Sequence, residues 1–188
     1  MQHKARKFST RARIVTSAAA VAVVGAGVFG TVSASAATPA ATPAAASVPA
    51  RATTTSTHLT VQAATQAAQA ALQAAQKEGQ RVSVAVVDRN GNTIVTLRGD
   101  GAGPQSYESA AKKAYTAVSW NAPTSELTKR LESAPTLKDI PGTLFLAGGA
   151  PVDYNNAPIA GVGVAGAPSG DLDEKFAQAG VAALGNGR

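Results

Sequence analysis

The chain has 188 residues, a formal charge of +6, two histidines and no cysteine. That allows one domain with a tail, and it excludes disulfides, thiolate metal sites and cysteine nucleophiles. With only His3 and His58 present, a histidine-based zinc site within one chain is implausible.

The charge is unevenly placed. Residues 1–36 hold Lys4, Arg6, Lys7, Arg11 and Arg13 and no acid, leaving twelve basic against eleven acidic residues downstream. The excess belongs to the N-terminus, so no nucleic-acid footprint is expected on the folded part. The same residues read as a secretory signal peptide. Basic Met1–Arg13 precedes an apolar run from Ile14 to Val32, and a small-residue pattern places the cut after Ala36. A retained membrane anchor is the competing reading, since the run is about long enough to span a bilayer. Its Ala and Gly content and its cleavage site favour removal. The protein is therefore expected outside the cell, secreted or associated with the cell wall. Residues 37–57, rich in Ala, Thr and Pro, have almost nothing large to bury and are expected to form a disordered linker. The folded domain is expected over residues 58–188.

Thr60 can cap a helix running to about Glu78, with Val61, Ala64, Ala68, Leu72 and Ala75 along one stripe and Gly79 as its stop. Val82 to Val87 alternates as a strand. Asn90-Gly91 is a strong hairpin signal, and Thr93 to Leu97 is the return strand. After a glycine-rich loop, a second helix spans about Gln105 to Trp120. Asn121-Ala122-Pro123 breaks it, and Thr124 caps a short third helix. Thr143 to Ala147 reads as a strand and Gly148 to Pro151 as a turn. Val152–Tyr154 and Ile159–Ala165 read as a hairpin around Asn155–Pro158. Asp171-Leu172-Asp173-Glu174 opens a last helix to about Leu184. The order α-β-β-α-α-β-β-β-α, with short connections, predicts an α/β (α+β) fold: a five-stranded antiparallel sheet flanked by helices.

Several familiar motifs fail on context. Gly161-Val162-Gly163-Val164-Ala165-Gly166 matches a dinucleotide fingerprint, but no second strand follows it, so its glycines are read as sites of close backbone approach. Gly99–Gly103 lacks the lysine of a phosphate loop. A serine triad would need His58, which sits where the linker meets the first helix, a poor place to hold geometry. Asp171, Asp173 and Glu174 cluster at a helix N-terminus, where the helix dipole already accounts for them.

Four segments taken together carry a resemblance: VAVVDRNGN, ESAAKKAYTAVSW, PGTLFLAGG and GVGVAGAPSGDLDE. In that order and spacing the chain resembles the GlcG/HbpS family of haem-binding or haem-degrading domains, over about residues 58–188 and including an exported N-terminus. The resemblance implies a profilin-like sandwich and homo-oligomers, with the octamer as the expected form. It implies haem binding, with haem degraded by some members. It also implies contact with a membrane sensor histidine kinase of a two-component system, as a haem and redox sensor.

The residues limit how haem could be held. With no methionine after Met1, the axial ligands reduce to His58, Tyr107, Tyr115, Tyr154 or a weaker oxygen. The tyrosines read mainly as packing residues. The resemblance gives the ligand role to Thr143 of the Pro-Gly-Thr-Leu-Phe segment. Read without it, Thr143 is a β-branched residue opening a strand. His58 matches a family histidine and is the second candidate, reaching a neighbouring subunit's haem; its plain reading is an exposed linker residue. The family's surface iron motif, two glutamates three apart, here has Glu108 but Ala111, and one carboxylate is a poor iron trap. Lys112, Lys113 and Arg89 are the basic residues available to the haem propionates. Haem breakdown would be a peroxide-driven attack on the ring, with the protein positioning it. The alternatives are an extracellular signalling protein without catalysis and a small-molecule binding domain without haem.

Overall fold

The computed structural model describes residues 47–185. The expected signal segment and residues 37–46 of the expected linker lie outside the described residues. Residues 47–57 are exposed throughout and carry one 3-10 turn, Ala50–Ala52, closed by the Thr53 hydroxyl donating to the Ala50 carbonyl. Among the described residues, no helix is long and apolar enough to cross a membrane.

Four helices and four strands follow in the order α1 (Val61–Lys77), β1 (Ser83–Asp88), β2 (Thr93–Arg98), α2 (Ser106–Trp120), α3 (Thr124–Arg130), β3 (Gly149–Tyr154), β4 (Ala157–Ala165) and α4 (Gly170–Gly185). A 3-10 turn, Pro135–Asp139, lies between α3 and β3. The strands form one antiparallel sheet in the order β2-β1-β4-β3. The expected α+β architecture is present, but the sheet has four strands rather than five.

The missing strand is Thr143–Ala147. Its backbone is bound elsewhere: the Leu144 N–H donates to the Thr116 hydroxyl at 2.8 Å, and the Leu146 N–H to the Leu144 carbonyl at 2.9 Å. Phe145 turns inward instead, meeting Trp120 edge-on with ring centroids 5.1 Å apart beside Ala122 and Leu127. Gly149-Ala150-Pro151, expected to turn, begins β3. The turn proper is two residues, Asn155-Asn156, both left-handed at φ 50° and 59°. Asparagine tolerates that region, and its twist suits a two-residue hairpin.

Strand alternation sorts the core. Val82, Val84, Val86, Val162 and Val164 face α1 and α4, where the alanine stripe of α1 meets Phe176 and Ala177. Ser83, Ala85, Val87, Gly161 and Gly163 face α2. The two glycines sit against the α2 backbone. A Cβ on Gly161 would collide with the Ala114 carbonyl, and one on Gly163 with the Ala110 carbonyl. The glycine motif is thus a packing device, as its context in the chain implied.

Helix ends follow local chemistry with one exception. The Thr60 hydroxyl accepts from the Ala63 N–H and caps α1. Asn121, left-handed at φ 49°, ends α2. Thr124 does not cap α3. Its hydroxyl accepts from the Gly149 N–H at 2.8 Å and donates to Glu174, tying α3 to the start of β3.

Candidate functional site

A cleft of about 520 Å³ opens where three pieces of chain meet. That volume lies within the range of roughly 300–1,000 Å³ found for small-molecule sites. Glu108, Ala111, Lys112 and Tyr115 stand at helical positions i, i+3, i+4 and i+7 of α2 and form one wall. The β1–β2 turn supplies a second wall through Asn90 and Gly91, and Pro141-Gly142 the third.

Tyr115 is held at the centre. Gly91 and Gly142 are left-handed, at φ +88° and +82°. Both touch the tyrosine ring: a Cβ would fall 2.9 Å from it at Gly91 and 3.5 Å at Gly142. Bare backbone therefore grips two edges of the ring, and the aromatic face stays part of the cleft. Tyr107 and Tyr154, the other tyrosine candidates, are about half exposed and do not line it.

Asn90, Thr93, Glu108, Lys112 and Tyr115 bring polar side-chain groups to the cleft lining. Lys112 Nζ is 2.7 Å from Glu108 Oε1, an exposed pair one helical turn apart. The hydrogen bond from Lys112, then its charge, holds the Glu108 carboxyl below the usual carboxylate range. Glu108 is, among the described residues, the only one with a side-chain carboxylate lining the cleft. Among the described residues no group of three His, Asp or Glu residues could hold a metal ion.

Thr143 follows Gly142 directly and is half-buried. Its hydroxyl donates to the Ile140 carbonyl at 2.7 Å. That bond uses the hydroxyl's only proton and leaves the oxygen lone pairs as its remaining chemistry. His58 is placed differently. Its Nε2 is 2.6 Å from the Ser56 hydroxyl, and its Nδ1 is 3.7 Å from Asp88 Oδ2. Asp88 also accepts from the N–H groups of Asn90 and Asn92, each at 2.8 Å, and from the Asn92 amide. Burial opposes ionisation of Asp88. The Asn92 and Asn90 donors, helped by nearby His58, still hold its carboxyl below the usual range. Val87 faces the cleft and Asp88 the opposite side of the sheet, so the structure does not bring His58 and Thr143 together within one chain.

The three basic candidates separate cleanly. Lys112 lines the cleft. Arg89 is exposed and is not among its lining residues. Lys113 is buried on the other side of α2, bonded to Asp173 Oδ2 at 2.7 Å and to the Val164 carbonyl at 3.0 Å. Desolvation pushes the Asp173 carboxyl above its ordinary range, against the pull of Lys113 and of the Ala167 and Gly166 N–H groups. Glu174 accepts from the N–H and hydroxyl of Ser125 and from the Gly148 N–H. Asp173 and Glu174 are therefore interior anchors, not surface dipole partners. Nothing in the local pattern of α4 signals this, because Lys113 is 60 residues away. Lys113 and Asp173 also line a second, smaller cleft of about 400 Å³ with Leu146 and Ala147.

The model of the haem-degrading, HbpS-like family matches residues 59–182. The chain belongs to the HbpS-like family. Among solved structures, a crystal structure of HbpS is 72% identical, covering 75% of this chain and 100% of that one, with a TM-score of 0.74. HbpS from Streptomyces reticuli, crystallised as a double mutant with two glutamates changed to aspartate, is 74% identical. It covers 77% of this chain and 100% of that one, with a TM-score of 0.73. A crystal structure of a PduOC–haem complex is 30% identical over 68% of this chain and 95% of that one, with a TM-score of 0.62. No curated protein matches the chain with significance.

Proposed function

We propose that this HbpS-like protein binds haem in the cleft between α2, the β1–β2 turn and the Pro141–Thr143 loop. The observation that carries the reading is the composition of that cleft. Val87, Ala111, Pro141 and the ring of Tyr115 offer apolar walls, Lys112 offers one cation beside the Glu108 carboxylate, and Asn90 and Thr93 add neutral polar groups. Thr143, the residue after the lining Gly142, is not itself a lining residue and is the oxygen donor nearest in sequence to that wall. This set fits an iron porphyrin, whose ring is apolar, whose propionates are anionic and whose iron takes one or two axial ligands. Among the described residues, no thiolate, thioether or imidazole lines the cleft.

Lys112 pairs with a propionate, exchanging its exposed contact with Glu108 for it. Lys113 cannot, because it is committed to Asp173. Thr143 is the first iron ligand, with its proton parked on the Ile140 carbonyl. Tyr115, Thr93, Asn90 and Glu108 carry the side-chain oxygens of the cleft lining. His58 serves a neighbouring subunit's haem, since its own cleft lies across the sheet. Bound haem supplies a redox-active iron and a ring open to oxidative attack. A neutral hydroxyl ligand holds that group loosely, which suits transfer or breakdown. The reading extends to an exported homo-oligomer, an octamer, that reports haem or redox state to a membrane sensor kinase. Its support is the family membership and the basic–apolar N-terminus.

Titrating the purified protein with haemin tests the proposal. A Soret shift with a defined stoichiometry, weakened at least tenfold in Thr143→Ala, supports it. A protein that leaves the haemin spectrum unchanged sinks it.

A further inference from the structure

The loop that bears Thr143 belongs to no strand, so a sheet ladder cannot fix its distance from the cleft. Its backbone bonds show what does. The Thr143 N–H reaches back to the Ile140 carbonyl at 3.3 Å, and the Leu146 N–H to the Leu144 carbonyl at 2.9 Å, both within the loop. The Leu144 N–H alone of these leaves it, donating to the Thr116 hydroxyl at 2.8 Å. Thr116 is fully buried, and the same hydroxyl donates to the Lys112 carbonyl at 2.8 Å. One oxygen thus acts as acceptor for the ligand loop and donor to the helix turn that carries Lys112. A hydroxyl can do both at once and a methyl group neither.

We infer that Thr116 is the positioning residue of the haem site: its hydroxyl pins the Pro141–Leu144 loop to α2 and so sets where Thr143 stands relative to Lys112. This rests on the haem reading above. A threonine bonding back to the carbonyl four residues earlier is common in helices and needs no loop. The Leu144 N–H is what distinguishes Thr116 from Ser119, whose hydroxyl makes the same back-bond, to the Tyr115 carbonyl, on the exposed side of α2. Removing the Thr116 hydroxyl takes from the Leu144 N–H its acceptor on α2, and the partly buried loop must shift or admit water to replace it.

The experiment compares haemin binding and the absorption and electron-paramagnetic-resonance spectra of the full-length protein with those of Thr116→Val, Thr116→Ser and Thr143→Ala. The expected result is a loss of at least tenfold in affinity in Thr116→Val, with the ligand-field signature shifted toward that of Thr143→Ala. Thr116→Ser should restore both to within about threefold, a rescue that mere packing would not produce. If Thr143→Ala is impaired while Thr116→Val keeps the wild-type spectrum and affinity, the inference is overturned and the haem reading stands. If Thr143→Ala itself binds like wild type, the haem ligand reading fails and this inference fails with it. Should Thr116→Val not fold, amide exchange in the wild-type protein decides the matter. A Leu144 amide protected well beyond those of Thr143 and Leu146, and further protected by haem, supports the pin; a freely exchanging one overturns it.

Discussion

Lys113→Met gives the sharpest test of how the interior is held. Both side chains of the Lys113–Asp173 pair are only 5% exposed, so solvent screens their interaction little. Methionine keeps much of the stem's volume and deletes the charge. Asp173 then retains the Ala167 N–H at 3.0 Å but loses its counter-ion. Stripping one partner from a buried pair costs about 3–5 kcal/mol. The cost has a pH signature. Burial already raises the Asp173 carboxyl in the folded state, and losing Lys113 raises it further. A raised carboxyl contributes stability that is present below its unfolded value and lost as pH climbs through its folded one. The variant should therefore approach wild type as pH falls below the unfolded carboxyl's value of about 3.9 and fall progressively behind as pH rises above it. Urea unfolding followed by Trp120 fluorescence across that window measures the gap. A deficit under about 1 kcal/mol at the alkaline end, or one that does not change with pH, would refute the reasoning.

Four further outcomes are expected. Gly163→Ala drives a methyl into the Ala110 carbonyl and the Ala114 N–H, and should lose at least about 1–3 kcal/mol in urea unfolding. Asn156→Val, forced to adopt φ near 59°, should lose roughly 1–2 kcal/mol, while Asn156→Gly stays within about 0.5 kcal/mol of wild type. Lys112→Gln should weaken haemin binding severalfold at low salt and reduce its salt dependence. In the same variant the Glu108 carboxyl should return to its ordinary range by NMR titration, since Lys112 is what lowers it. Asp88→Asn keeps one carbonyl oxygen for the Asn90 and Asn92 N–H groups but removes the charge and turns the oxygen that accepts from the Asn92 amide into a donor. The carboxylate it replaces contributes stability above its unfolded value and loses it as pH falls, so the variant's acid unfolding limb should flatten.

The chain's regular elements were written in local residues. The alanine stripe of α1, the Asn90-Gly91 turn and the close-packed glycines of β4 each follow from spacing or from one residue's backbone freedom. Thr143–Ala147 misled because an apolar run of that length carries no mark of its hydrogen-bond partner. The partner is the Thr116 side chain, 28 residues earlier, which no window on the loop can see. Asp173 and Glu174 misled for the same reason: acids in a first helical turn look alike whether they meet water or a lysine from across the fold. The cleft residues on α2 share a face that the helix period reveals. That Tyr115 would be clasped by Gly91 and Gly142 depends on two loops meeting, a tertiary event.

The seat of α2 on β4 has a mechanical corollary. Where helix and sheet meet through side chains, each can slide as those chains change rotamer. Here the helix rests on bare main chain at Gly161 and Gly163, with no cushion to compress. The bed of the cleft is thus stiff, and whatever give a guest molecule demands must come from the side chains that line it.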